Sequence, residues 1–168
     1  MTHISTNINA PRDLWIEDYD QDGDKDIAVT NLVNNIYVLI NTGDEDDFSF
    51  SSPKYIETGR APWGLDFGDV NGDGLVDIVV ATTDASDKLT ALINTSAGTN
   101  LSYIPYYIGS DDISFNINIS DFNGDAKPDI AYINRQNNLI RICSKQRFSN
   151  TNFTFFNFSQ PYSHTLSS

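Results

Sequence analysis

Asp18-Tyr19-Asp20-Gln21-Asp22-Gly23-Asp24-Lys25-Asp26 places five carboxylates at alternate positions around a single glycine. The pattern returns as Asp69-Val70-Asn71-Gly72-Asp73-Gly74-Leu75-Val76-Asp77, 51 residues on, and as Asp121-Phe122-Asn123-Gly124-Asp125-Ala126-Lys127-Pro128-Asp129, 52 residues beyond that. A motif returning at this interval divides the chain into three copies of one structural unit, and every other feature of the sequence is read against that period.

Two carboxylates about 5 Å apart repel by roughly 3 kcal/mol at an effective dielectric near 20, so a loop that gathers several of them calls for a cation. The donors are all oxygens, which suits Ca²⁺ with its six to eight oxygen ligands. Side-chain ligands are expected from Asp18, Asp20, Asp22 and Asp26 in the first loop. The second offers Asp69, Asn71, Asp73 and Asp77, and the third Asp121, Asn123, Asp125 and Asp129. Backbone carbonyls of Asp24, Leu75 and Lys127 would complete the cages, giving up to three Ca²⁺, one per copy. Ala126 stands where the other loops have glycine, at a position expected to need positive φ, so the third site is expected to be the weakest.

An EF-hand loop ends in a bidentate Glu at position 12 and runs into a helix. Here position 12 is Val29, Val80 or Tyr132, and each loop runs into a β-branched stretch such as Ile27-Ala28-Val29-Thr30 or Ile78-Val79-Val80-Ala81. The loop therefore joins two strands. With Ala61-Pro62-Trp63-Gly64-Leu65-Asp66-Phe67-Gly68 leading into the second loop, the repeat resembles the FG-GAP or VCBS repeat of integrin-α-like β-propellers, over nearly the whole chain. The phenylalanine-glycine pair survives only as Phe67-Gly68; Ile16-Glu17 and Ile119-Ser120 replace it in the other copies, closer to the VCBS pattern.

Aligned on the loops, Leu14, Leu65 and Ile117 share one position, and Ile16, Phe67 and Ile119 another two residues on, which is one face of a strand. Third strands are read at Ile36 to Ile40, Leu89 to Ile93 and Leu139 to Cys143. Fourth strands are read at Phe48 to Thr58, Leu101 to Ile108 and Phe153 to Tyr162. Thr2 to Ile8 reads as the outer strand of a preceding unit. The runs are apolar on both faces, so each four-stranded antiparallel sheet is covered on both sides, as in a propeller blade. The fold class is all-β, with blades at about 10–58, 61–108 and 113–162. Propellers close with about four to eight blades, so three units imply an excerpt of a longer propeller, assembly of several chains, or an open module.

A net charge of −13 excludes nucleic-acid phosphate and anionic lipid as partners, and no apolar run approaches the length of a membrane span. Eleven of the 23 acidic residues lie in the loops, so three bound Ca²⁺ would bring the charge to about −7. Multi-Asp loops of this open kind belong with weak extracellular calcium sites, which favours a secreted or cell-surface location. Sequons at Asn94, Asn100, Asn118, Asn152 and Asn157 are compatible with it, although Thr2 to Pro11 has no signal-peptide pattern.

Cys143 aligns with Ile40 and Ile93 and reads as a buried small hydrophobe; His3 and His164 read as surface residues. No nucleophile elbow, zinc motif or phosphate loop occurs, which leaves Glu17, Asp66 and Asp111 as spare carboxylates for a hydrolase. The resemblance implies a non-enzymatic module for adhesion, recognition or assembly, binding a protein or glycan on the rim opposite the calcium loops. That rim would comprise Asn31 to Asn35, Thr82 to Lys88 and Asn134 to Asn138, with the turns at Arg60 and Asp111. Further blades, from the same longer chain or from other copies, are the second class of partner. The rival reading is the propeller part of a polysaccharide-processing enzyme or a lectin, with Trp63 as sugar platform.

Overall fold

The computed structural model describes residues 8–31, 35–44, 48–58, 62–82, 89–96, 101–108, 114–134, 139–144 and 162–165. Among these every regular element is a strand. The first copy supplies β1 (Pro11–Glu17), β2 (Asp26–Asn31), β3 (Asn35–Leu39) and β4 (Lys54–Glu57). The second supplies β5 (Pro62–Gly68), β6 (Asp77–Thr82), β7 (Leu89–Asn94) and β8 (Tyr103–Tyr107), and the third β9 (Ser114–Ser120), β10 (Asp129–Asn134), β11 (Leu139–Cys143) and β12 (Tyr162–Thr165). Each set forms its own antiparallel sheet in chain order, the arrangement of a propeller blade.

The acidic loops join the first and second strands, as their flanking β-branched runs require. Equivalent pairs hold the same register in all three sheets: Leu14 opposite Val29, Leu65 opposite Val80 and Ile117 opposite Tyr132. A register shift follows at the far end of each pair, between Pro11 and Leu14, Pro62 and Gly64, and Tyr132 and Asn134. A bulge repeated at one rim bends the first strand of each blade.

Blades stack face to face through two apolar layers. Tyr19, Ala28, Ile36, Val38 and Ile40 of the first blade meet Leu65, Ile78, Val80 and Leu92 of the second. The second blade's other face, with Val79, Ala81, Leu89 and Ala91, meets Ile117, Ile130, Tyr132 and Cys143 of the third. Every residue of β6 and β7 is buried, because the middle sheet is covered on both sides. β5 packs beside both β1 and β9, so the first strands lie next to one another.

The phenylalanine-glycine pair serves this stacking. Phe67 meets Tyr19 edge-on at 4.9 Å between ring centroids, across the first layer. A Cβ on Gly68 would lie 3.1 Å from Ile119 Cγ2, so the missing side chain lets β9 approach across the second. Two polar ties add to it: Asp66 Oδ2 accepts the Ile119 N–H at 2.6 Å, and the Arg12 guanidinium lies 3.6 Å above the Trp63 ring.

The fourth strands depart from expectation. β4 and β8 are shorter than read, because Ser51-Ser52-Pro53 breaks the apolar alternation ahead of Lys54 and Pro53 donates no ladder bond. In the third copy β12 covers Tyr162–Thr165, with His164 opposite Ile140, and the rest of the expected stretch, residues 153–161, lies outside the described residues. Cys143 is buried as expected, and burial pushes its thiol up to about 11. Its alignment is corrected by one residue: it stands opposite Ile130 as Leu39 and Leu92 stand opposite Ile27 and Ile78, so its counterparts are Leu39 and Leu92 and not Ile40 and Ile93, the third hairpin being one residue longer than the first. Residues 2–7, Arg60, Asp111 and most of the rim opposite the loops lie outside the described residues.

Candidate metal centre

All three loops share one backbone path. Positions four and six have positive φ in each: Gln21 and Gly23, Gly72 and Gly74, Gly124 and Ala126. The expectation for Ala126 holds, with φ of 60°. Gln21 at 62° was not foreseen, so the first loop carries the same kind of strain as the third and only the second has glycine at both positions. The ground for ranking the third site alone as weakest is thereby lost.

The last Asp of each loop fastens it to the sheet. Asp26 Oδ2 accepts the Tyr19 N–H at 2.8 Å and Oδ1 the Asn41 N–H, just beyond β3, at 2.7 Å. Asp77 repeats this with Val70 and Asn94, at 2.9 and 2.8 Å, and Asp129 accepts Phe122 N–H at 3.1 Å. All three carboxylates are buried. Desolvation raises the Asp26 carboxyl above its ordinary value and pushes Asp77 up to about 6, against the opposing effect of those N–H groups. The repeated Leu-Ile-Asn-Thr of residues 39–42 and 92–95 was the overlooked signal, since its Asn supplies the N–H and then opens a turn through Gly43 N–H or Ser96 N–H. Asn94 is buried and donates its Nδ2 to the Val76 carbonyl, so its sequon offers no accessible amide in the folded chain.

The first Asp of each loop gathers loop amides. Asp69 accepts from Gly72, Asp73 and Gly74, and Asp121 from Gly124, Asp125 and Ala126. Desolvation raises the Asp121 carboxyl, but these N–H groups outweigh it and leave the carboxyl below its ordinary value. Asp18 accepts only Gly23 N–H, and its Oδ1 is buried with no partner. At position five, Asp22, Asp73 and Asp125 each accept the N–H two residues on, from Asp24, Leu75 and Lys127.

Position three separates the loops. Asn71 donates its amide to Asp73 at 2.7 Å, and Asn123 donates to Asp129 at 3.2 Å. In the third loop Lys127 Nζ adds an ion pair to Asp125 at 3.2 Å. The first loop has a carboxylate instead, and both oxygens of Asp20 are buried without a hydrogen-bond partner. One oxygen each of Asp18, Asp20 and Asp22 lie within 4.8 Å of one another, the one such acidic group among the described residues. Burial and the neighbouring Asp22 and Asp18 carboxylates raise the Asp20 carboxyl, outweighing the opposing effect of the nearby Asp22 N–H. A cluster of this composition can hold a metal ion, and hard oxygen donors suit Ca²⁺. The Asp24 side chain points into solvent.

The loops adjoin along one rim, where Gln21 Nε2 donates to the Gly74 carbonyl at 2.8 Å. The FG-GAP-like repeat model matches residues 18–80 and again residues 69–132, each span opening on the first Asp of a loop. The chain belongs to the FG-GAP-like repeat family. The two FG-GAP spans cover more than half the chain, and their starting points are separated by the same 51 residues as the first two loops. No curated protein matches the chain. As an FG-GAP protein it is a β-propeller-like repeat module, and among its described residues no helix is long and apolar enough to cross a membrane.

Two of the three spare carboxylates have structural partners, and the third, Asp111, lies outside the described residues. Glu17 pairs with Lys25 at 2.9 Å, which holds its carboxyl below the ordinary value, and Asp66 accepts the Phe67 and Ile119 N–H groups. Trp63, the sugar-platform candidate, lies beneath the Arg12 guanidinium, 3.6 Å from its ring centroid.

Proposed function

We propose that this FG-GAP chain is a calcium-stabilised, non-enzymatic module, secreted or at the cell surface, that serves adhesion, recognition or assembly. The observation that carries the calcium reading is Asp20, whose two buried oxygens have no donor while two further carboxylates crowd them. Asp18, Asp20 and Asp22 would hold the first ion, with Asp26 fixing the loop behind them. The other two loops, led by Asp69, Asn71 and Asp73 and by Asp121, Asn123 and Asp125, would hold theirs once the Asn amides turn their oxygens inward. Ca²⁺ then stabilises the turn between the first two strands of each blade.

Extracellular calcium, at about millimolar level, matches the affinity class of such loops. Ligands of protein or glycan nature would engage the opposite rim, leaving the metal rim as scaffold. The lectin or polysaccharide-enzyme alternative is weakened because Arg12 lies over Trp63, its sugar-platform candidate. The test is thermal unfolding in excess chelator and after adding Ca²⁺ or Mg²⁺. Chelation lowers the melting temperature and Ca²⁺ restores it better than Mg²⁺, which demands a tighter octahedral shell; an unchanged melt overturns the calcium reading. A glycan array addresses the ligand class.

A further inference from the structure

Asparagine followed by glycine occurs twice in the chain, at Asn71-Gly72 and Asn123-Gly124, which are positions three and four of the second and third loops. Glycine has no Cβ to keep its backbone nitrogen away from the side chain before it, so this pairing is the one most open to an internal reaction. The glycine nitrogen attacks the asparagine Cγ: the N–Cγ bond forms, the Cγ–Nδ2 bond breaks, and ammonia leaves carrying the glycine proton. Water then opens the cyclic imide at either carbonyl, giving aspartate or isoaspartate. In the first loop the same positions hold Asp20 and Gln21, with no side-chain amide at position three and a Cβ at position four.

Both folded loops hold the reacting groups apart. Gly72 N–H donates to Asp69 Oδ1 at 2.6 Å and Gly124 N–H to Asp121 Oδ1 at 2.7 Å, so each nucleophile is engaged by a carboxylate. That carboxylate also opposes the negative charge the nitrogen gathers as its proton leaves. The side-chain amides are held as well. Asn71 Oδ1 accepts the Asp73 N–H at 2.8 Å while its Nδ2 donates to Asp73 Oδ2 at 2.7 Å. Asn123 Oδ1 accepts the Asp125 N–H at 2.9 Å while its Nδ2 donates to Asp129 Oδ2 at 3.2 Å. Neither asparagine can turn its Cγ to the glycine nitrogen without breaking these bonds. Burial gives no protection, because both glycines are exposed and water reaches them.

We infer that Asn71 and Asn123 are latent deamidation sites, restrained by Asp69 and Asp121 while their loops are folded and released when the loops open. The reaction proceeds from the open loop, so its rate follows how often the loop opens. Hydrogen bonds to a charged acceptor are strong enough to slow a step that must break one by about ten- to a hundredfold. The aspartate product gives position three the carboxylate that Asp20 supplies in the first loop, and adds one negative charge at each pair, taking the chain from −13 to −15. The isoaspartate product lengthens the main chain by a methylene, inside loops whose fourth and sixth positions hold positive φ, so the same hydrogen bonds cannot re-form. The inference rests on the loops' own hydrogen bonds and not on the calcium reading.

The experiment is incubation of the 168-residue chain in mildly alkaline buffer, with Ca²⁺, with chelator and in urea, followed by peptide mass spectrometry. The readout is the mass gained when an amide becomes an acid, which isomerisation at Asp22-Gly23 or Asp73-Gly74 does not produce. In urea both pairs should react at the rate of a short Asn-Gly peptide, and in the folded chain each should be at least about tenfold slower, with or without Ca²⁺. In chelator, Asp69→Ala should raise the rate at Asn71 by about tenfold or more and leave Asn123 within about twofold, and Asp121→Ala should do the converse. Asp69→Asn, which keeps an acceptor oxygen, should fall between the parent and Asp69→Ala. The pair left untouched by each variant reports that the chain is still folded. Equal rates in the folded chain and in urea overturn the inference, as does no reaction in urea. Protection that disappears in chelator would mean that bound metal restrains the reaction, which also overturns it. A rise at both pairs from Asp69→Ala would mean general opening of the chain and refutes the role given to Asp69.

Discussion

Asp20→Asn should stabilise the protein in chelator and weaken its response to calcium, two effects of opposite sign from one oxygen-to-nitrogen change. Unit charges 4.8 Å apart, the limit for the Asp18, Asp20 and Asp22 oxygens, repel by roughly 3.5 kcal/mol at an effective dielectric near 20. Asp22 is exposed and the other two are only half-buried, so screening by water and salt reduces this to about 1–2 kcal/mol. The new amide can also donate to Asp22, as Asn71 donates to Asp73, for about 1 kcal/mol more. A gain of about 2 kcal/mol raises the melting temperature of a domain this size by roughly 4–8 °C. With about 1 mM Ca²⁺ and a dissociation constant near 0.1 mM, an intact site adds about 1.4 kcal/mol, and the variant forfeits much of that in its first loop. Differential scanning calorimetry in chelator and in Ca²⁺ gives both quantities. A variant that melts below the parent in chelator would refute the claim that the Asp20 carboxylate lacks compensation.

Gly68→Ala places a methyl group 3.1 Å from Ile119 Cγ2, at a point where β9 closes on β5, and should cost about 1–2 kcal/mol in urea unfolding; in an Ile119→Ala background, which lacks that Cγ2, the added cost should largely vanish. The folded chain holds the Asp77 carboxyl at about 6, above its unfolded value of about 3.9, so the native state binds the proton more tightly. The Asp77 contribution to stability in chelator, read as the difference from Asp77→Asn, should therefore be fully present below about pH 4, fall by up to roughly 3 kcal/mol as pH rises through 6, and level off above; a contribution rising over that interval would contradict it. The Cys143 thiol, buried between the second and third blades and pushed up to about 11, should react with a thiol reagent only as fast as the chain opens, and at the rate of a free thiol in urea. Asp22→Ala and Asp125→Ala compare the first and third loops: each should remove one Ca²⁺ from the titration, and because Gln21 and Ala126 both hold positive φ the two losses should be similar in size; a much smaller loss for Asp125→Ala would restore the third loop as the weaker site.

Blade architecture was legible because it is written in short-range signals repeated three times. Alternating acidic residues mark the loops, β-branched runs mark the second strands, and the two-residue spacing of Leu14 with Ile16 and Leu65 with Phe67 marks one apolar face of the first, buried at Leu65 and exposed at Leu14 and Ile16. The outer strands were harder to place. They pair on one side only, so little in residues 48–58 or 101–108 constrains where pairing begins. Within the loops, residue type predicted which oxygens gather but not which already have donors. Asn71 and Asp20 occupy one position and differ by a single group, yet one completes its loop's hydrogen bonds and the other leaves two oxygens bare. Gln21 was unreadable for a related reason: positive φ at a non-glycine residue leaves no trace in sequence, and only comparison with Gly72 and Gly124 hints at it.

The last carboxylate of each of the first two loops joins three strands without belonging to any ladder. Through Asp26 the loop is tied to the exit of β3, and through Asp77 to the exit of β7, so alignment of the first three strands is fixed at one rim by a side chain. The hairpin at the other rim is thereby relieved of setting register and is free to change length. The middle copy carries two more residues there than the first, yet Ile78 meets Leu92 just as Ile27 meets Leu39. A blade built this way tolerates insertion on one side, so new surface can be added at that rim while the stack beneath it stays in step.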